Sequence, residues 1–281
     1  MNVQQLLIIG SNELKKNNIP SFNLDSEILL SNVLKKDRHL LIRDPIKKIH
    51  STEIIKYRSL INRRLNYEPI SYITNKKEFW SKTFSVTSDT LIPRPETELM
   101  VEKLIKIIKK QNISILDIGT GTGCIIISLL SELSKAKGVG IDISKKALTV
   151  AQKNSFKFSV SSKVKYFNLS VSKYLKFKHD LIVSNPPYII RRDIKNLPDD
   201  IRRFEPRIAL DGGNDGLDLI RKVIYKSKEI LKVNGILALE IGKKQLIKVS
   251  ELLFKNNFRI EHKIKDYKDN IRCIIARKLI R

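Results

Sequence analysis

The sequence predicts an α/β protein: a mostly parallel, doubly wound sheet with a small N-terminal helical domain in front of it. Three observations predict it. Residues 1 to about 70 carry apolar residues at three- and four-residue spacing. Near residue 75 the period drops to two. Beyond about residue 113, short apolar runs alternate with amphipathic stretches to the end of the chain. Strand, helix and strand at that cadence argue for parallel strands covered on both faces.

In the helical part, "VQQLLIIGSNEL", "LDSEILLSNVLKK" and "STEIIKYRSLINRRL" each place polar faces between apolar stripes. Asp44 and Pro45 mark a break, and Ser51 with Thr52 offers an N-cap for the third long helix. The stretch "EFWSKTFSVTSDTLIP" alternates apolar and polar residues. Its Thr-Ser-Asp segment predicts the turn of a β-hairpin. In "LIPRPETELMVEKLIKIIKK", Pro95 suits a first helical position, Glu96 and Glu98 suit the positive end of the helix dipole, and the helix is expected to reach about Lys110.

After it, strands are expected at "ISILDIG", "GVGID", "KVKYF", "HDLIVS", "ILALEIG", "FRIEHKIK" and "RCIIARKLI". Helices are expected at "CIIISLLSEL", "KKALTVAQKNSF", "GLDLIRKVIYKSKEIL" and "KQLIKVSELLF". Only "DYKDN" joins the last two strands, so they should pair antiparallel at an edge. The expected division is a helical domain at 1–74, a β-hairpin linker at 75–93 and the sheet domain at 94–281.

Composition narrows the function classes. With 281 residues, 42% hydrophobic and 30% charged, the chain can bury a sizeable core. It has no apolar run long enough to span a membrane. The start, "MNVQQLLIIGSNELKKN", lacks a basic n-region and a small-residue cleavage site and reads as a mature helix. Two cysteines, Cys124 and Cys273, make no disulfide framework and suit a reducing cytoplasm. The four histidines (His39, His50, His179, His262) have no spacing that suits a metal, so none is expected.

A net charge of +25 would fit a nucleic-acid or ribonucleoprotein partner. The lysines, however, spread along a chain rich in Lys, Ile and Asn and poor in Gly, as composition drift would produce. Charge alone decides nothing.

Two motifs carry chemistry. "ILDIGTGTGCII" sets Gly119, Gly121 and Gly123, with Thr120 and Thr122 between them, between an apolar strand and an apolar helix. Glycines there let the backbone approach a ligand closely. Asp142 ends the next strand, where an acid commonly grips ribose hydroxyls. A dinucleotide site would want G-x-G-x-x-G, but Cys124 occupies its third glycine position. The pattern Asp117 followed by G-x-G-x-G instead resembles the S-adenosylmethionine loop of class I (Rossmann-like) methyltransferases. Cys124 reads as a small buried helix residue, although a helix N-terminus could lower its pKa.

The second motif is "DLIVSNPPYII". Proline has no N–H for a ladder, so the strand ends abruptly at Asn185, Pro186, Pro187 and Tyr188. In a doubly wound sheet the first and fourth strands are neighbours, and ligands bind beyond their carboxyl ends. Asn185 is therefore expected beside the glycine loop. An Asn side-chain oxygen and a backbone carbonyl can each accept one N–H of an NH2 group, and Tyr188 can stack on a flat acceptor. These four residues leave two acceptors open, the exocyclic amine of a nucleobase and the amide of a glutamine. A catalytically silent basic RNA-binding protein on the same scaffold would not need an intact Asn185 and glycine loop.

"EPISYITNKKEFWSKTFSV", "LIPRPETEL", "DIGTGTG", "SNPPYI", "FEPRIALDGGNDGLD" and "LEIGKKQ", in this order, resemble the protein-(glutamine-N5) methyltransferases that modify class-1 peptide-chain release factors. The resemblance runs from about Glu68 onward, and the helical part fits that family's substrate-recognition domain. It implies S-adenosylmethionine on Gly119 to Gly123 with Asp142 at the ribose, and Asn185 near the methionine end as well as in the acceptor site. Arg94 and Thr97 are implied close to that site. It departs at "LSVSKYL", where Ser170 replaces an acid and Val171 a bulkier neighbour of the adenine. The substrate implied is the Gly-Gly-Gln loop of a release factor, met by a cytoplasmic monomer that requires neither membrane nor nucleic acid. The alternative is an N6-adenine type nucleic-acid methyltransferase.

Overall fold

A computed structural model of the chain describes residues 1–109, 112–175 and 177–279. It divides into two compact units, one of residues 1–76 with 198–204 and one of residues 77–197 with 205–281.

In the first unit the apolar stripes form α1 (Val3–Lys16), α2 (Phe22–Leu34), α3 (Arg38–Arg43), α4 (Ser51–Leu65) and α5 (Ile70–Thr74). Leu6, Leu14, Leu29, Leu30, Tyr57 and Ile61 close a core of their own. A buried ion pair, Arg64 Nε to Asp25 Oδ2 at 2.7 Å, ties α4 to α2. The cap of α4 is His50, not Ser51 or Thr52. The His50 N–H donates to Glu53 Oε2 at 3.1 Å, which puts both hydroxyl residues inside the first turn. The short helices α3 and α5, of 6 and 5 residues, lay below what periodicity can detect.

The second unit opens with β1 (Lys76–Phe79, whose first residue belongs to the helical unit) and β2 (Lys82–Ser85), paired in a two-stranded sheet. The hairpin turns at Trp80–Ser81, not at Thr87–Asp89. Both turn residues have positive φ, 51° and 53°, as a tight two-residue turn between twisted strands requires. Trp80 is held there by tertiary contacts: its N–H donates to Glu98 Oε1 at 3.2 Å and its indole Nε1–H to Glu132 Oε1 at 2.8 Å. The Thr-Ser-Asp segment forms a separate turn closed by Thr90 N–H to Thr87 O at 3.0 Å.

Next come α6 (Pro95–Ile107), β3 (Ser114–Ile118), α7 (Cys124–Glu132), β4 (Lys137–Asp142), α8 (Lys145–Lys157), β5 (Val164–Asn168) and β6 (His179–Ser184). After them follow α9 (Asp199–Phe204, in the helical unit), α10 (Asp218–Ile230), β7 (Leu231–Glu240), α11 (Leu246–Lys255), β8 (Phe258–Lys265) and β9 (Ile271–Lys278). Pro95 does open α6. The helix stops short of Lys110, which lies outside the described residues, because Ile108 turns extended and packs on the core with Ile105 and Ile107.

The strand order is β5-β4-β3-β6-β7-β9-β8. Every ladder is parallel except those of β9, which runs antiparallel to both β7 and β8. Alternation along the strands splits the core in two. Ile115, Leu181, Val183, Ile236 and Ala238 face the side of α6 and α7, while Leu116, Ile182, Leu237 and Leu239 face α10 and α11. The sheet is therefore doubly wound. Gly138 of β4 permits this closeness, since a Cβ there would sit 2.7 Å from Ile126 Cδ1 of α7.

Candidate active site

The parallel registers create a row. Ile141 pairs with Ile118, Ile118 with Ser184, and Ser184 with Leu239. The next residue of each strand is Asp142, Gly119, Asn185 and Glu240. Four adjacent strands thus deliver a carboxylate, a glycine turn, an amide and a second carboxylate to one edge of the sheet. Ser184 Oγ donates to Ile118 O at 2.7 Å and locks the two central strand ends together. A cavity of ≈ 300 Å³ lies against that edge.

The glycine loop is shaped by backbone conformations that side chains resist. Gly119, Gly121 and Gly123 have φ of 71°, 54° and 78°. A Cβ on Gly119 would meet no atom within 4 Å, whereas one on Gly123 would press on Ile127 Cδ1 at 2.9 Å. The first glycine therefore opens toward the cavity and the third toward packing with α7.

Asp142 shapes the loop from the other side. Its carboxylate accepts the N–H of Gly121 at 3.0 Å and of Ser144 at 2.9 Å, and burial raises its pKa. Thr120 and Thr122, both buried, line the cavity too. Thr120 Oγ1 donates to Asp117 Oδ2 at 2.7 Å. Asp117 is 1% exposed, and its Oδ1 has no hydrogen-bond partner among the described residues. Burial pushes its carboxyl up to about 7. Burial also pushes the Cys124 thiol up to about 12, so the helix N-terminus does not activate it.

Of the acceptor motif, Asn185 and Pro187 line the cavity. Pro186 is buried, and Tyr188 turns toward β7 and β9. Its hydroxyl donates to Glu240 Oε1 at 3.2 Å and accepts from Arg272 Nη2 at 2.9 Å, and the Arg272 guanidinium lies 5.3 Å from its ring centre. Arg94 and Thr97 also line the cavity, as do Ser170 and Val171. Asn185 Nδ2 lies 3.5 Å from Thr97 Oγ1, which itself donates to Glu240 Oε2 at 2.6 Å. Arg94 pairs with Glu205 at 2.6 Å, and the Glu205 side chain is 1% exposed.

Three residues of this neighbourhood had no role assigned from sequence. Glu240 ends an apolar strand as Asp142 does, and that shared position was the available signal. Glu205 is reached only through tertiary structure. So is Asn154, which joins Ser85 of β2 to Thr122 of the glycine loop through hydrogen bonds of 2.8–3.0 Å. Among the described residues no group of His, Cys, Asp and Glu is placed to hold a metal ion, and no helix is long and apolar enough to cross a membrane.

Comparison with known proteins identifies the family. Residues 5–74 match the PrmC N-terminal domain, and residues 95–199 match the methyltransferase small domain. The release factor glutamine methyltransferase of Buchnera aphidicola subsp. Baizongia pistaciae is 39% identical over 99% of this chain and 100% of its own length. The chain belongs to the release factor glutamine methyltransferase family. Another member, from Clostridium botulinum, is 38% identical over 99% of this chain and 100% of its own. The fold recurs in a methyltransferase from Pyrococcus furiosus, with a TM-score of 0.55, 19% identity, and coverage of 78% of this chain and 99% of that one.

Membership makes the protein a methyltransferase and implies S-adenosylmethionine as methyl donor. The residues present fit that group. Gly119 leaves open space where a side chain would otherwise intrude. Asp142 keeps a half-buried carboxylate at the cavity wall, and Ile143, Leu169 and Val171 supply an apolar lining suited to a flat heterocycle.

Proposed function

We propose that this methyltransferase transfers the methyl group of S-adenosylmethionine to the side-chain amide nitrogen, N5, of the glutamine in the Gly-Gly-Gln loop of class-1 peptide-chain release factors, in support of translation termination. The observation that carries the reading is the row of strand ends, which sets Asn185 beside the glycine loop and Asp142 within one cavity. The family's printed name supplies the substrate class.

Bound S-adenosylmethionine supplies an electrophilic methyl on sulfur. Gly119 to Gly123 would hold its methionine part, Asp142 its ribose hydroxyls and Val171 its adenine, with Arg94, Thr97 and Asn185 at the reacting end. An amide nitrogen is a weak nucleophile because its lone pair is delocalised. Asn185 Oδ1 and the carbonyl of Pro186 each accept one N–H of the glutamine NH2. This fixes the nitrogen in line and favours charge on it. Pro187 has no N–H to compete for that carbonyl, and the paired prolines stiffen the loop. The glycines flanking the glutamine would let it reach a narrow site. Tyr188 turns away from the cavity, where Glu240 and Arg272 brace it and so anchor the end of the motif.

The test is the partition of label from methyl-labelled S-adenosylmethionine between a release factor and RNA or DNA offered together. Label in the protein supports the reading. Label in adenine, with the protein unmodified, replaces it with the nucleic-acid amine methyltransferase.

A further inference from the structure

We propose that Glu240 is a positioning residue that, through Thr97, sets which end of the Asn185 amide faces the acceptor. The inference rests on the reading that Asn185 holds the acceptor NH2. It follows from a chain of hydrogen bonds between Arg272, which can only donate, and Glu240, which when ionised accepts at both oxygens. Burial raises the Glu240 pKa, while the Thr97 and Tyr188 hydroxyls and the charge of Arg272 pull it down and favour that ionised form.

Between Arg272 and Glu240 stands Tyr188. Arg272 Nη2 donates to its oxygen at 2.9 Å, so the phenolic proton goes to Glu240 Oε1 at 3.2 Å. On the other carboxylate oxygen, Thr97 Oγ1 stands at 2.6 Å and must donate. With its single proton spent there, Thr97 has only lone pairs left for Asn185. The amide nitrogen, 3.5 Å away, therefore faces Thr97, and Oδ1 faces the opposite way. A flipped amide would set Oδ1 against an oxygen with no proton to give. Glu240 is 2% exposed and Thr97 2%, so water is poorly placed to repair such a mismatch.

Removing the hydroxyl or the charge breaks the chain without touching the acceptor. In Glu240→Gln the new NH2 must donate to one hydroxyl. If that hydroxyl is Thr97, its proton turns to Asn185 and the amide flips. Thr97→Val deletes the relay, and Thr97→Ser preserves it.

The test measures kcat, KM for the release factor and cofactor affinity by calorimetry, in these variants and in the Asn185→Ala background. Expected in Glu240→Gln and Thr97→Val is a kcat lower by about ten- to hundredfold. In Glu240→Gln, cofactor affinity and KM should change by less than about threefold, and Thr97→Ser, which keeps the hydroxyl, should retain far more kcat than Thr97→Val. In the Asn185→Ala background, Glu240→Gln and Thr97→Val should cost little more, because the group they orient is gone. Wild-type kcat in both variants, equal damage by Thr97→Ser and Thr97→Val, or full additivity with Asn185→Ala each overturns the inference. If Glu240→Gln fails to fold, the Thr97 pair and its cycle decide alone. Should Asn185→Ala itself keep full turnover, the acceptor reading has failed. Should Asn185→Ala collapse while Glu240→Gln and Thr97→Val do not, only the positioning role has failed.

Discussion

Asn185 owes its place to strand register, and its proposed use to having both an acceptor and a donor on one short, stiffly held side chain. On the proposed reading, Asn185→Ala removes one of two acceptors from the substrate NH2 and leaves the Pro186 carbonyl. By analogy with losing one oxyanion-hole donor, kcat is expected to fall by about two to three orders of magnitude. Cofactor affinity by calorimetry should fall far less, because Asp142 and the glycine loop are untouched. Asn185→Asp keeps an acceptor of the same length and should retain part of the activity.

Asp117 makes a different prediction, in stability. Its carboxyl, pushed up to about 7 by burial, binds a proton in the folded state that the unfolded chain releases near the ordinary aspartate value. Stability from the protonated form is complete below that value and is lost as pH rises through about 7. Asp117→Asn stays neutral throughout, so its stability relative to the parent should rise between acid and neutral pH, by up to about 4 kcal/mol. Urea denaturation at both ends of that window checks it. A difference independent of pH would mean Asp117 ionises freely.

At the scale of elements, what was legible depended on whether local pattern or tertiary contact decides the outcome. The strands and helices from β3 onward announce themselves because each buries a face or both faces, and the antiparallel end of the sheet follows from the brevity of the "DYKDN" connection. The hairpin turn did not, because Trp80 and Ser81 are poor residues for left-handed backbone and tertiary contacts, with Glu98, Glu132 and the core, hold the tryptophan there. The His50 cap was hidden for a similar reason, since its hydrogen bond runs from the backbone to Glu53. Ser81 gives a test. With φ at 53° it strains an L side chain, so Ser81→Gly should stabilise the enzyme by about 0.5–1 kcal/mol after the added freedom of the unfolded chain is offset. A lower melting temperature would show that the turn is not as described.

Glu240 is hidden from local pattern where Asp142 is not. Asp142 is legible because an acid at a strand end beside a glycine loop has a known use. Glu240 has the same position one strand beyond Asn185, but its partners Thr97 and Tyr188, and the Arg272 that donates to Tyr188, come from three distant segments, and no spacing in the sequence joins them.

For the whole molecule, two units with separate cores point to two separable tasks. Residues 1–76 close a core distinct from both faces of the sheet. If the helical unit recognises the protein substrate, a chain beginning at Asn75 should bind S-adenosylmethionine with nearly the parent's affinity and fail to methylate a whole release factor. Undiminished turnover of the full substrate would reduce that unit to packing. The +25 charge is shared along the whole chain and assigns no acceptor.

The acceptor atom is the central claim, and one measurement reaches it directly: proteolytic digestion of a release factor after incubation with the enzyme and S-adenosylmethionine, followed by fragmentation mass spectrometry of the Gly-Gly-Gln peptide. The account predicts a single added CH2 unit on the glutamine side chain, absent when Asn185→Ala replaces the parent under the same brief incubation. A methyl group on any other residue, or an unmodified Gly-Gly-Gln peptide alongside methylated adenine in added nucleic acid, would contradict it.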